Sequence, residues 1–366
     1  MLDVDLIVPW LSSFKNIIRV PSRYNLKHRY WFPVWLYKNE LKKKGVKIRF
    51  LNRFNLKYSK FSKIIGIDSR YPNLAENLID VVKKLRDQAD YLLWFDMSDS
   101  SSRAYWPALK YFDRFFKRTL LKDLSLYRKK YYKRSIFVDY YKRNYNTGGH
   151  IISPSGHDLD PKYHKKIALS WNLALCDYRF SGKLSEYLCG FSRKYNLKFY
   201  KPNLNRKLLF SANFNISRSS HLVYFQREKL GKFLKKKYKS NDYVSIGRIQ
   251  KKKYLQTQRS SKAIFSPFGW GEVCYRDIET FLAGAALIKP NMEHIETWPN
   301  LFKKNETYIP ISWKIEDWDK EIPEILSNET LLLKVAKTGQ NQYKKLFTRE
   351  GRDFFCDRFI QMVTPE

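Results

Sequence analysis

The chain has 366 residues, 43% of them apolar, with ten Trp, 26 Tyr and 25 Phe; at roughly 100–200 residues per domain this predicts two domains with real cores and excludes global disorder. Seventy Lys and Arg against 35 Asp and Glu give a net charge of +35, which speaks of partners (nucleic acid, an anionic membrane surface, phosphorylated substrates) and not of fold. Cys176, Cys189, Cys274 and Cys356 are scattered without a CxxC or Cys/His cluster, which argues against a disulfide framework or a zinc site and suits a reducing compartment.

In chain order, "VDLIVPW" (4–10) reads as a first strand and "FPVWLYKNELKKKG" (32–45) as a helix ending at Gly45. "VKIRFL" (46–51) and "KIIGID" (63–68) read as strands, "LAENLIDVVKKLRDQA" (74–89) as an amphipathic helix and "YLLWFD" (91–96) as a buried strand. "WPALKYFDRFFKRTLLKD" (106–123) has a helical pattern, and "RSIFVDYY" (134–141) follows it. Residues 144–162, rich in Gly, Pro, Ser and Asn, read as a domain connection. Helical segments are expected near 164–177 and 183–196.

The alternation then restarts. "RKLLFSANF" (206–214), "YVSIG" (243–247), "AIFSPFG" (263–269) and "ALIKP" (286–290) read as strands. Helices are expected at 219–238, 251–261, 275–285, 332–347 and 351–363. Strands alternating with helices predict parallel sheets covered on both faces. The fold class is therefore α/β, with two Rossmann-like domains whose parallel sheets face an interdomain cleft. Residues 1–150 form the first domain, 165–345 the second, and 346–366 a closing helix packing back on the first. No window approaches 18 consecutive apolar residues, and the N-terminus carries acidic residues where a signal peptide needs positive charge. A cytoplasmic protein, resting on a membrane face, is the expectation.

Chemistry concentrates in "FSPFGWGEVCYRDIETFLAGAALIKPN" (265–291). Gly269 and Gly271 flank Trp270 and allow a tight turn with close backbone approach to a ligand. Glu272 follows, and a helix starting near Tyr275 presents its positive end to an anion. Arg276 and Glu279 are three apart and share a helix face. The guanidinium suits a diphosphate, and the carboxylate suits the two hydroxyls of a ribose. An ordinary surface Arg–Glu pair at a helix start is the competing reading. In the first half, "YLLWFDMSDSSSRAYW" (91–106) delivers Asp96 and Asp99 into a Ser-rich loop. Either carboxylate is placed to act as a general base, or else caps the next element. His294 and Glu296 follow the last strand of the second half. His150, His157 and His164 lack the spacing of a metal site.

The stretch 254–290 resembles exostosin-like and other two-Rossmann (GT-B) glycosyltransferases, families 1 and 4 among them. The resemblance rests on Ser261-Lys262 before a strand, Ser266-Pro267-Phe268-Gly269, Arg276-Asp277-Ile278-Glu279, Ala283-Gly284 and Pro290. "RKLLFSANFNISRS" (206–219) is similar to the family's strand and loop, which places Arg218 on the donor phosphates; "SANFN" stands where the family has a glycine-bearing turn. Six residues separate Glu272 from Glu279, one fewer than in the Glu-x₇-Glu motif of retaining members.

The resemblance implies an acceptor-binding first domain and a nucleotide-sugar-binding second domain. It also implies transfer from a UDP- or GDP-sugar to a glycan, glycolipid or glycoprotein acceptor. No metal and no cofactor is required, Arg218, Arg248 and Arg276 neutralising the leaving diphosphate. The direction it favours is inversion, with Asp96 or Asp99 as base. Two other classes remain open at this point. One is a basic nucleic-acid-binding protein, although no specific nucleic-acid motif is present. The other is a non-catalytic sugar-nucleotide-binding homologue.

Overall fold

Two all-parallel sheets form the framework of the computed structural model, which describes residues 1–8, 30–51, 60–70, 74–148, 153–176, 197–216, 221–238 and 242–365. The first sheet contains β1 (Leu2–Ile7), β2 (Val46–Leu51), β3 (Ile64–Asp68), β4 (Tyr91–Asp96), β5 (Arg114–Lys117) and β7 (Ile167–Leu169), in the order β2-β1-β3-β4-β5-β7. Helical residues 30–36, α1 (Lys38–Lys43) and α2 (Leu74–Arg86) lie between the early strands. The second sheet contains β8 (Leu208–Ala212), β9 (Val244–Ile246), β10 (Ser261–Phe265), β11 (Ala286–Pro290) and β13 (Ile309–Ile311), in the order β13-β11-β10-β8-β9. In both sheets the second strand lies outside the first and the third returns to its other side. The direction of winding therefore reverses between β1 and β3, and between β8 and β10. Open α/β sheets bind ligands at such a point, beyond the carboxyl ends of the strands.

Burial explains why the strands were readable. All six residues of β4 are buried, as are all five of β3 and of β11, the mark of strands covered on both faces. On one face of the first sheet, Trp31, Val34, Leu41 and Phe95 share a core with Phe355, Phe359 and Val363. The last three belong to the C-terminal helix α9 (Arg349–Val363), which crosses back to the first domain. On the other face, Trp94, Phe112 and Phe115 belong to a core that continues through Phe268, Ile278, Phe281 and Tyr343 of the second domain.

Two expectations need correction. Residues 106–123 do not form one helix: a 3-10 turn at Trp106–Tyr111 is followed by β5 and by β6 (Thr119–Leu121). The apolar spacing there also fits two short strands, and pairing of β5 with β4 decides between them. Residues 134–141 lead into the helix α3 (Ile136–Asn144). Where a helix is expected near 164–177, β7 instead pairs with β5 and completes the first sheet; a three-residue strand among lysines is too short to show as periodicity. The expected helix at 183–196 lies outside the described residues.

The domains are joined by more than the chain. β6 pairs antiparallel with β12 (Ile295–Thr297) of the second domain. The Gln226 amide donates to the Tyr141 hydroxyl at 2.7 Å, and the Tyr145 hydroxyl donates to Glu316 at 2.8 Å.

Candidate functional site

The mouth of the second sheet is built on a buried charge network. Asp277 and Lys289 have fully buried side chains 2.8 Å apart. The Ser266 hydroxyl donates to Asp277 Oδ1 at 2.6 Å and the Cys274 N–H to Oδ2 at 2.8 Å. Lys289 also donates to the Glu272 carbonyl at 2.6 Å. A buried ion pair persists when further donors and acceptors satisfy it, and here Ser266, the Cys274 N–H and the Glu272 carbonyl do so. The result ties the end of β10, the turn at 269–274, the helix α6 (Tyr275–Ala283) and β11 into one rigid unit.

Two guanidiniums face this mouth. Arg227 comes from α4 (His221–Tyr238) and is 8% exposed. Its Nε donates to the Phe268 carbonyl at 2.6 Å and its Nη1 to the Asn215 carbonyl at 3.2 Å, with no carboxylate among these partners. Burial, reinforced by the neighbouring Arg276, pushes its pKa down from the ordinary arginine value. Arg276 lies over the Phe214 ring at 5.7 Å, and its buried Nε and Nη1 have no hydrogen-bond partner among the described residues. A guanidinium with buried donors to spare, and a second positive charge near enough to act on it, suit an anion. Asn213 holds the facing loop by donating to the Gly247 carbonyl at 2.8 Å and to Ser245 at 3.0 Å. An amide side chain thus anchors the "SANFN" turn.

Glu279 sits one turn along α6 from Arg276. Its Oε2 accepts from the Tyr254 hydroxyl at 2.7 Å, and Tyr254 also lies against Arg276. Tyr254 belongs to α5 (Lys251–Arg259), the helix before β10. The structure therefore brings Arg276 and Glu279 together at the switch point.

The other candidates are placed as follows. Arg218 lies outside the described residues. Arg248 follows β9 at the sheet edge and is exposed. Trp270 is 51% exposed at the tip of the turn, edge-on to Tyr224 at 6.1 Å. Tyr275 opens α6 and is half-buried. A β-carbon on Gly269 would stand 2.8 Å from Arg227 Nη2, so this glycine makes room for the guanidinium. One on Gly271 would run into the main chain of Asp99 in the first domain.

Glu272 is 0% exposed, and its carboxylate crosses the interface: Ser101 donates its N–H at 2.9 Å and its hydroxyl at 2.7 Å. His294 Nε2 stands 3.7 Å away, an ion-pair distance without a hydrogen bond. Burial alone would raise this carboxyl; His294 and the Ser101 donors outweigh it, and the net shift is downward. The sequence pairs Glu272 with a ligand, whereas the structure pairs it with Ser101 of the first domain and with His294. His294 packs edge-on to Trp313 at 4.8 Å, and its carbonyl accepts from Lys122 of the first domain at 3.1 Å.

Asp96 and Asp99 have different surroundings. Asp96 is 4% exposed; Lys117 donates to Oδ2 at 2.7 Å and the Ser98 hydroxyl to Oδ1 at 2.8 Å. The Asp99 side chain is 59% exposed, with one oxygen accepting from Arg118 at 2.7 Å. Arg118 also donates to the Ser98 carbonyl at 2.9 Å and is itself buried. Asp99 thus projects from the first domain beside the 269–272 turn of the second. Trp31 is core in the first domain, its Nε1 donating to Asp68 at 2.7 Å.

Arg227, Tyr254, Ser101 and Arg118 escape sequence reading. Arg227 and Tyr254 sit inside Lys- and Arg-rich helices where charge marks a solvated face, and Ser101 is one of four serines between 98 and 102. No group of three His, Cys, Asp or Glu able to hold a metal occurs among the described residues, and no described helix is long and apolar enough to cross a membrane.

No protein-family model and no curated protein matches the chain. Among solved structures it is similar to HepE of Anabaena in complex with UDP-glucose, at 6% identity and a TM-score of 0.44, over 99% of this chain and 100% of that one. A glycosyltransferase from Rickettsia africae matches at 11% identity and 0.43, over 100% and 99%. A sucrose-phosphate synthase from Thermosynechococcus elongatus matches at 11% identity and 0.43, over 99% of each chain.

Proposed function

We propose that this chain is a glycosyltransferase that moves a sugar from a nucleotide-sugar donor, such as a UDP- or GDP-sugar, to a hydroxyl of a glycan, glycolipid or glycoprotein. The observation that carries this reading is Arg276 in the first turn of α6, whose buried Nε and Nη1 are unused, with the Arg227 charge close enough to be felt by it. The donor diphosphate lies against this pair and the positive end of α6. Glu279 accepts from the ribose. Arg248, Trp270 and Tyr275 border the same mouth.

The acceptor enters from the side of the first domain, where Asp99 keeps one oxygen clear of Arg118. Its hydroxyl oxygen attacks the anomeric carbon as the bond from that carbon to the phosphate oxygen breaks. The diphosphate leaves with the electron pair, and Asp99 takes the proton. One displacement inverts the anomeric centre. Arginines and helix amides neutralise the leaving group, so this chemistry calls for no resident metal or cofactor. The charge of +35 suits an anionic, lipid-linked acceptor at the cytoplasmic membrane face.

The test is a transfer assay with a panel of UDP- and GDP-sugars, alongside nucleotide binding by calorimetry. Wild type should bind one nucleotide, and Arg276→Ala should weaken that binding by about tenfold or more. A protein that binds no nucleotide diphosphate, or an Arg276→Ala variant that binds as well as wild type, would refute the reading.

A further inference from the structure

We infer that Tyr254 is a positioning residue that makes the donor site selective for a ribonucleotide over its 2′-deoxy counterpart; this rests on the donor site proposed above. A phenol has one donor and two acceptor lone pairs. The Tyr254 hydroxyl gives its proton to Glu279 Oε2 at 2.7 Å, accepts from the Gln258 amide, and lies against Arg276. With its proton committed, the hydroxyl fixes the direction of the Glu279 carboxylate. Gln258 is buried, so the chain from Gln258 through Tyr254 to Glu279 is anchored at its inner end.

Oε1 of Glu279 has no hydrogen-bond partner among the described residues. A carboxylate held by one oxygen, with the other unbonded, can accept from a vicinal diol. A site built to accept from a hydroxyl discriminates against the ligand that lacks it, because the charged acceptor is then left unpaired. Without the Tyr254 bond, Glu279 is released to turn on its own rotamers. The selectivity should then fall while the phosphate contacts of Arg276 and Arg227 persist.

The experiment compares binding of UDP with 2′-deoxy-UDP, and of GDP with 2′-deoxy-GDP, to the full chain by calorimetry. Wild type should favour the ribonucleotide of its preferred base by about tenfold or more. Tyr254→Phe should bring that ratio within about threefold in a variant that still unfolds cooperatively. Gln258→Met, which keeps the tyrosine and removes the donor behind it, should lower the ratio in the same direction. Tyr243→Phe, an exposed tyrosine at the start of β9, should leave it unchanged. If neither wild type nor any variant binds a nucleotide, the proposed function falls and this inference with it. If Arg276→Ala abolishes binding while Tyr254→Phe and Gln258→Met keep the wild-type ratio, the function stands and this inference alone is overturned.

Discussion

The main-chain carbonyl of Asp99 occupies the space that a β-carbon on Gly271 would need. The first domain therefore rests its Ser-rich loop directly on the turn that opens α6. Gly271→Ala must push main chain apart, and overpacking of this kind costs about 1–3 kcal/mol, with the upper end expected where the obstacle is backbone. Gly269→Ala meets no main chain: its closest neighbours would be Arg227 Nη2 at 2.8 Å and Cys274 Sγ at 3.4 Å. The first variant should lose stability in urea unfolding. The second should keep its stability and lose nucleotide affinity. Equal unfolding midpoints for Gly271→Ala and wild type would show that the loop does not rest on the turn.

The Glu272–Ser101 link predicts an acid sensitivity. The Glu272 carboxyl lies below its ordinary value in the folded chain. Between that depressed value and the unfolded value near about 4.3, the unfolded chain binds more protons than the folded one. Stability therefore rises with pH across this window; the contribution is complete above it and lost as pH falls through the folded pKa. Glu272→Gln should cost about 1–3 kcal/mol at pH 7, and the gap from wild type should narrow at pH 3.5. Denaturant titrations at both values check this. A gap that stays constant would mean the carboxylate charge contributes nothing.

Much of this was legible in the sequence because burial on both faces leaves uninterrupted apolar runs. "YLLWFD", "KIIGID" and "ALIKP" are strands for that reason. The site was legible where one short stretch carries it, as at 269–279. Contacts between stretches far apart in the chain were not. Arg227 lies 49 positions before Arg276, and Ser101 lies 171 before Glu272. The close approach that Gly271 signals was readable too, but not that the approaching backbone is the protein's own. β5, β6 and β7 were missed because three- and four-residue strands gain their identity from pairing.

Asp96 and Asp99 look alike in the sequence, and the structure gives them opposite expected phenotypes. Asp96 is the counter-charge of Lys117, whose ammonium also donates to the Arg103 carbonyl at 2.7 Å and lies 5.8 Å from the Trp106 and Tyr127 rings. Asp96→Asn leaves that ammonium buried without an anion, which costs about 3–5 kcal/mol. Its activity should fall in proportion to the folded fraction. Asp99→Asn removes an exposed carboxylate, so stability should change by about 0.5 kcal/mol or less. If Asp99 takes the acceptor proton, kcat should drop by about 10²–10⁴ with donor KM little altered. Unfolding curves and initial rates on the two variants separate the roles. An Asp99→Asn enzyme with wild-type kcat would remove it as the base, and a stable, inactive Asp96→Asn enzyme would move the base to Asp96, with Lys117 then set against an acidic group that must gain and lose a proton in every cycle.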